Sequence, residues 1–178
     1  MDLTEKTLAE ESVFDGVLLH IRRDTVELPN GDVATREWML HRGAAAVLAF
    51  DEEGRLLLVR QYRYPVRSVT LELPAGKLDG DEAPEICAAR ELEEETGYRA
   101  ESLRLVAQML PAAAYTTEML HIYAAEGLHF THQHLDADEF LNVVRVTIDE
   151  ALAKIESGEI LDAKTQIGIL RWLREREK

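Results

Sequence analysis

The stretch from Ala75 to Tyr98 limits what this chain can fold into more than any other. It reads Ala-Gly-Lys-Leu-Asp-Gly-Asp-Glu-Ala-Pro-Glu-Ile-Cys-Ala-Ala-Arg-Glu-Leu-Glu-Glu-Glu-Thr-Gly-Tyr. Pro84 suits the first turn of a helix, where its missing N–H would have no helical partner, and Gly97 suits the left-handed residue that ends one. The spacing predicts a helix over 83–96. On it Glu91 and Glu95 are four apart and Glu94 is three from Glu91, so the three carboxylates share a face. Ile86, Ala89 and Leu92 recur at helical spacing on another face. The expectation is one packed face and one that gathers negative charge.

Like charges four apart on a helix cost a few tenths of a kcal/mol, and more when water is excluded. Such an arrangement asks for a cation. Oxygen-only ligands without a nearby Cys–His pattern favour magnesium or manganese over zinc. A solvated acidic face is the other reading of the same residues.

The rest of the chain is read in order around that helix. Residues 1–11 are polar and acidic and are expected to form a short mobile lead. From Ser12 the apolar positions Val13, Val17, Leu19 and Ile21 alternate as in a strand. Asp24 to Leu28 and Val33 to Leu40 flank Pro29-Asn30-Gly31-Asp32, a strong hairpin signal. An antiparallel sheet of about three strands is therefore expected in 12–42, too small to bury much alone. Ala44 to Phe50 is a continuous apolar run, typical of a strand buried on both faces. Leu56 to Val59 and Val69 to Leu73 read as further strands. Between them Arg60, Gln61, Tyr62, Arg63 and Tyr64 could grip phosphates and stack on a base, or could be an ordinary strand end.

After the helix, Ser102–Met109 and Met119–Ala125 read as strands joined by a loop suited to lining a pocket. The stretch Gly127 to Phe140 is expected to be a long polar loop whose His129, His132 and His134 face solvent, with metal binding the less favoured alternative. Leu141 to Val146 is the last strand. Thr147 with Glu150 makes a capping box, Gly158 stops that helix, and Asp162 caps a final helix with Ile167, Leu170 and Leu173 on one side and Trp172 as packing.

A chain of 178 residues supports one main domain with a small appended sheet. Cys87 is the sole cysteine, so no intrachain disulfide and no Cys-based zinc site can form, and it reads as a packing residue. The N-terminus lacks the order of a signal peptide and no apolar run approaches the roughly 18 residues of a membrane span, so a cytoplasmic protein is expected. A net charge of −14 opposes binding to a nucleic-acid backbone or an anionic membrane. It equally opposes any phosphate compound unless divalent ions and local arginines reverse the potential within a pocket.

From Gly76 the residues follow the Nudix signature without departure: Gly76, five residues, Glu82, seven residues, then Arg90-Glu91-Leu92-Glu93-Glu94-Glu95-Thr96-Gly97-Tyr98. The chain resembles the ADP-ribose and nucleoside-diphosphate-sugar pyrophosphatase branch of the Nudix hydrolases. That resemblance implies an α+β fold, an α/β/α sandwich with a mixed sheet between helices. It also implies a division into 1–42, an N-terminal β-sheet extension exchanged between subunits of a homodimer, and 43–178, the hydrolase domain. It further implies magnesium-dependent hydrolysis of a diphosphate joined to a sugar, manganese being an alternative ion, with a nucleoside diphosphate-linked small molecule as substrate. By position the metal ligands are Glu91, Glu95 and the Ala75 carbonyl, with Glu94 assisting, while Glu82 and Arg90 hold the loop and helix together. Arg63 matches a phosphate-binding arginine, Arg36 and Glu37 match contacts to base and ribose, and Glu118 matches a substrate-contacting or supporting glutamate. Glu139 is the chosen general base, with Asp136 and Asp138 as near competitors. The resemblance departs from the ADP-ribose enzymes at Ala113 and Ala114, where these have proline and glycine. A GDP-sugar or NADH pyrophosphatase and a catalytically silent binding module are the alternatives.

Overall fold

A computed structural model describes residues 1–177. Three antiparallel strands open the chain, β1 (Lys6–Asp15), β2 (His20–Glu27) and β3 (Val33–Leu40), in the order β1-β2-β3. The expected hairpin at Asn30-Gly31 joins β2 to β3, with Gly31 at φ 87, the left-handed region such turns require. Two expectations fail here. The mobile lead over 1–11 is instead mostly β1. The alternation from Ser12 is broken by a turn in which the Gly16 N–H donates to the Leu19 carbonyl. The physical reason is common to both: β1 is exposed along its whole length, so backbone pairing with β2 alone defines it and no apolar period marks it.

The main body of the chain is built on β4 (Ala44–Leu48), β5 (Leu56–Arg63), β6 (Ser68–Glu72), β7 (Ala75–Lys77), α1 (Pro84–Thr96), β8 (Tyr98–Met109), β9 (Leu120–Phe130), β10 (Leu141–Val146), α2 (Ile148–Glu156) and α3 (Ala163–Arg176). One sheet is mixed, in the order β7-β4-β9-β8, with β4 and β9 parallel; the other is antiparallel, β10-β5-β6. β4 is the centre of the sandwich. Its even residues Ala44, Ala46 and Leu48 pack with Ala151, Ile160 and Ile169 on the side of α2 and α3. Its odd residues Ala45 and Val47 pack with Cys87, Ala88 and Leu92 of α1. Both faces are dry, which is why the run is apolar without alternation.

The closing helices form as their caps predict. Thr147 and Glu150 make the reciprocal capping box, and Asp162 accepts from the Thr165 N–H. Trp172 stacks on Phe50 with ring centroids 4.4 Å apart. The packed stripe of α3 is Thr165, Gly168 and Ile169, with Leu170 exposed, so the expected Ile167-Leu170-Leu173 face is rotated. Gly168 sets that rotation, since a Cβ there would sit 2.9 Å from Leu73 Cδ1; its absence lets the helix lie close to the sheet.

β9 runs on to Phe130, past the expected end at Ala125, and shortens the following loop to 131–140. His129 therefore lies in a strand, bonded to Glu101 at 2.9 Å, while His132 and His134 lie in the loop. No cluster of three metal-ligating side chains forms among the described residues. None of the helices described is long and apolar enough to cross a membrane.

Leu92 is fully buried and joins α1 to the sheet. Leu92→Ala is expected to lower the unfolding free energy by about 2–5 kcal/mol in a urea titration, from lost burial plus the cavity left behind.

Candidate active site

Helix α1 begins at Pro84 and ends where the Gly97 N–H donates to the Glu93 carbonyl, with Gly97 at φ 77. Its faces are not divided as the sequence suggests. Ile86 and Ala89 are exposed, and the buried side consists of Cys87, Ala88, Glu91, Leu92, Glu95 and Thr96. Two of the carboxylates thus lie on the packed side. Glu91 is 9% exposed and Glu95 1%.

Room for them comes from β7. A Cβ on Gly76 would lie 1.8 Å from Glu91 Oε1, so the bare glycine is the space the carboxylate occupies. The Ala75 N–H donates to Glu95 Oε2 at 3.0 Å. Arg90 donates through Nη1 to Glu91 (2.6 Å) and Glu94 (2.9 Å), and through Nε and Nη2 to both oxygens of Glu82 (3.0 Å each), which ties the preceding loop to the helix.

Burial pushes the Glu91 carboxyl up to about 6 against the opposing pull of Arg90, with Glu94 and Glu139 adding repulsion. Burial and the neighbouring Glu91 push Glu95 up to about 8, partly offset by the Ala75 N–H. Glu94 and Glu95 also sit in the last turn of α1, which has no basic residue, at the end where the helix dipole disfavours anions. Negative charge is concentrated here beyond what Arg90 neutralises. An oxygen-only donor set, a glycine cradle and the partnerless buried Oε1 of Gln61 suit a hard divalent cation. Cys87 is no competitor: burial pushes its thiol up to about 12, with Glu91 adding to the shift.

Gln61, Ala75, Gly76, Arg90, Glu91 and Glu94 line a cavity of about 630 Å³, whereas Glu82, Cys87 and Glu95 are not among its lining residues. It gathers most of the residues singled out from the sequence. Ala75 comes from β7, Glu91 and Glu94 from α1, Arg63 from the end of β5, Glu118 from the loop before β9, and Asp136, Asp138 and Glu139 from the loop before β10. Glu139 is half-buried and its carboxylate lies 3.4 Å from Gln61 Nε2, whereas Asp136 and Asp138 are exposed. The loop carrying Glu118 is anchored to the end of β3, where the Met39 N–H donates to the Tyr115 carbonyl and the Thr117 N–H to the Met39 carbonyl.

Arg36 and Glu37 are not brought to this cavity within one chain. Arg36 is exposed and paired with Glu5, and Glu37 is exposed and paired with Arg23. The alternation of β5 explains a second difference. Gln61 and Arg63 point to the cavity, while Tyr62 and Tyr64 are exposed elsewhere, and Tyr64 carries Arg67 over its ring at 3.8 Å.

Several lining residues carried no signal in the sequence. Leu18, at the tip of the first hairpin, and Lys164, in the first turn of α3, both line the cavity. Gln61 had only its place beside Arg63 to mark it. Glu72, 3% exposed, lies behind Arg63: burial works against its charge, but Arg63, Lys164 and Thr70 hold its carboxyl down at about 2.

Comparison with known proteins bears on this arrangement. The NUDIX domain model matches residues 39–165, and the model of the nucleoside diphosphate sugar hydrolase N-terminal domain matches residues 5–39. The chain is 43% identical over 169 residues to the ADP-ribose pyrophosphatase of Bacillus subtilis (strain 168), covering 94% of this chain and 91% of the relative. It is 41% identical over 167 residues to the methanol dehydrogenase activator of Bacillus methanolicus, covering 93% and 90%. A crystal structure of an ADP compounds hydrolase matches the fold with a TM-score of 0.86 at 24% identity, covering 99% of this chain and 98% of that one.

Proposed function

This chain belongs to the NUDIX family, and from that premise we propose that it hydrolyses the pyrophosphate bond of ADP-ribose or a related nucleoside diphosphate sugar, giving a nucleoside monophosphate and a sugar phosphate, with magnesium as the ion. The observation that carries this reading is the pair of nearly buried carboxylates on α1, Glu91 and Glu95, of which Glu91 lines a cavity also lined by Arg63 and Lys164. A cavity lined by both acidic and basic side chains suits a divalent ion and a diphosphate bound together.

Glu91, Glu95 and the Ala75 carbonyl would hold the ion, with Glu94 assisting. A magnesium ion bound there supplies charge neutralisation for the diphosphate. Arg63 orients the phosphate oxygens through a planar, permanently charged fork. Glu139 takes the proton of the attacking water as its oxygen bonds to phosphorus and the bridging oxygen leaves with the other phosphate. Gln61 holds that carboxylate in place, and Glu118 contacts or supports the substrate. The half-buried position of Glu139, against the exposed Asp136 and Asp138, supports its choice as base.

The reading includes a homodimer in which Arg36 and Glu37 serve the neighbouring subunit's cavity, with 1–42 as the exchanged extension and 43–178 as the hydrolase domain. Support comes from the apolar side chains that the first three strands leave exposed, among them Leu8, Val13, Phe14 and Val33. It also includes a cytoplasmic setting, with which the buried, unpaired Cys87 agrees.

The test is release of phosphate monoester from ADP-ribose, GDP-mannose, UDP-glucose, NADH and dinucleoside polyphosphates, with magnesium and with chelator. Preference for ADP-ribose that vanishes with chelator supports the proposal and shows that Ala113 and Ala114 do not exclude that substrate. Preference for a GDP-sugar or NADH moves the substrate, and silence across the panel from folded protein removes the activity. Glu139→Gln is expected to lower kcat by about two orders of magnitude or more with little change in KM. An equal loss in Asp138→Asn, with Glu139→Gln unaffected, moves the base by one residue.

A further inference from the structure

We infer that Gln133 is a positioning residue: with its neighbours in 131–134 it straps the loop carrying Glu139 to the end of α1, and so fixes that carboxylate relative to Glu94 and Glu95. The inference rests on the hydrolase reading above and adds a part of the loop that lines no part of the cavity.

The last carbonyls of an α-helix have no partner within it. In α1 the Glu93 carbonyl accepts from the Gly97 N–H, which closes the helix through a left-handed residue. Other carbonyls at this end are taken by residues far along the chain. The His134 N–H donates to the Glu94 carbonyl at 3.1 Å, Gln133 Nε2 to the Glu95 carbonyl at 2.5 Å, and the Thr131 N–H to the Gly97 carbonyl at 2.7 Å. The Thr131 hydroxyl lies 3.1 Å from Glu93 Oε1. Gly97 permits this close approach, because a Cβ there would sit 2.9 Å from the Gln133 nitrogen and 3.1 Å from the His132 carbonyl carbon.

The helix does not need the strap in order to end, since the Gly97 bond already ends it. What sets the strap apart from an ordinary cap is the place of attachment. Glu94 and Glu95 are residues whose carboxylates the hydrolase reading gives to the ion, and the strap grips their own main chain. The loop runs from the end of β9 at Phe130 to the start of β10 at Leu141, which pairs with Gln61 of β5. With 131–134 fastened, only 135–140 remains free between two fixed ends, and a shorter free span explores less space. Within it the Glu139 N–H donates to the Asp136 carbonyl at 3.0 Å, and the Glu139 carboxylate meets Gln61 Nε2 at 3.4 Å. The base is thus held between α1 on one side and β5 on the other.

Of the two bonds to the Glu94 and Glu95 carbonyls, only that from Gln133 comes from a side chain. Gln133 is an exposed residue, so water can take over the carbonyl when the amide is removed. Stability should then change little while the loop loosens.

The test uses the full chain with magnesium, in the unmodified protein and in Gln133→Met, Gln133→Glu and Gln133→Lys. Steady-state kinetics with the best panel substrate are paired with melting curves and with amide order parameters over 135–140. Gln133→Met keeps the length and removes the donor. It is expected to lower kcat about 10-fold with KM within about twofold, because a reacting group misplaced by about 1 Å costs that much or more. The order parameters should fall below about 0.6, the flexible range. Melting temperature should drop by no more than about 4 °C, the effect of one lost hydrogen bond in a chain of this size. Gln133→Glu turns an acceptor toward the Glu95 carbonyl and should lose at least as much kcat. Gln133→Lys restores a donor suited to the negative end of a helix and should recover most of it. Unchanged kcat and order parameters in Gln133→Met overturn the inference, and so does a loss that Gln133→Lys fails to recover or that falls mainly on KM. Should the unmodified protein turn over no substrate in the panel, the hydrolase reading fails alone, since the order parameters still decide whether Gln133 holds the loop.

Discussion

Glu95→Gln is expected to lower kcat by about two orders of magnitude or more, while the chelator-treated protein melts no lower than the unmodified one. The two outcomes have opposite signs for one reason. Glu95 is buried four residues from the less enclosed Glu91, and burial together with the Glu91 charge raises its carboxyl to about 8. A carboxamide keeps an oxygen to accept the Ala75 N–H at 3.0 Å and removes the repulsion. The fold loses nothing it needs, and the ion loses a charged ligand. Kinetics with the best panel substrate and melts with chelator and with magnesium measure both sides. The upward shift in melting temperature that magnesium gives the unmodified protein should shrink or vanish in the variant. Near-normal turnover in Glu95→Gln would remove this residue from the metal site.

Gly76→Ala is the second substitution with a large expected effect, and its mechanism is steric. The added Cβ would lie 1.8 Å from Glu91 Oε1 and 2.1 Å from its Cδ. Gly76 is not at positive φ, so alanine suits its backbone, and the strand cannot retreat because Gly76 is paired with Ala45 in the sheet. The Glu91 carboxylate has to move. We expect kcat to fall about 100-fold or more, with a stability loss of about 1–3 kcal/mol from overpacking. Combining Gly76→Ala with Glu91→Gln should cost much less than the sum of the two single losses, since both act on one carboxylate. Full additivity would show that Gly76 acts by another route.

How far the molecule was legible beforehand depends on how local each feature is. The helix bounds at Pro84 and Gly97, the Asn30-Gly31 hairpin and the Thr147–Glu150 capping box rest on contacts within a few residues, and the dry strand β4 is marked by its own unbroken apolar run; these agree with the structure. The orientation of amphipathic faces was less legible. Ile86, Ala89 and Leu170 repeat at helical spacing yet are not in the buried stripes, because Gly76 and Gly168 open room for other sides of α1 and α3. A missing side chain in a neighbouring strand leaves no periodic trace in the helix it accommodates.

What the sequence determined by itself was the presence of three acids at one end of a helix, the ends of that helix, and the family to which its spacing belongs. Only the tertiary structure decided that two of those acids are buried rather than solvated. It also decided that the loops before β9 and β10 bring Glu118 and Glu139 to the same cavity, and that Arg36 and Glu37 stay outside it within one chain. The Glu72–Lys164 pair joins residues 92 apart in sequence. Charge and spacing are written along the chain, but burial and the convergence of distant side chains arise only when packing excludes water and closes the intervening loops.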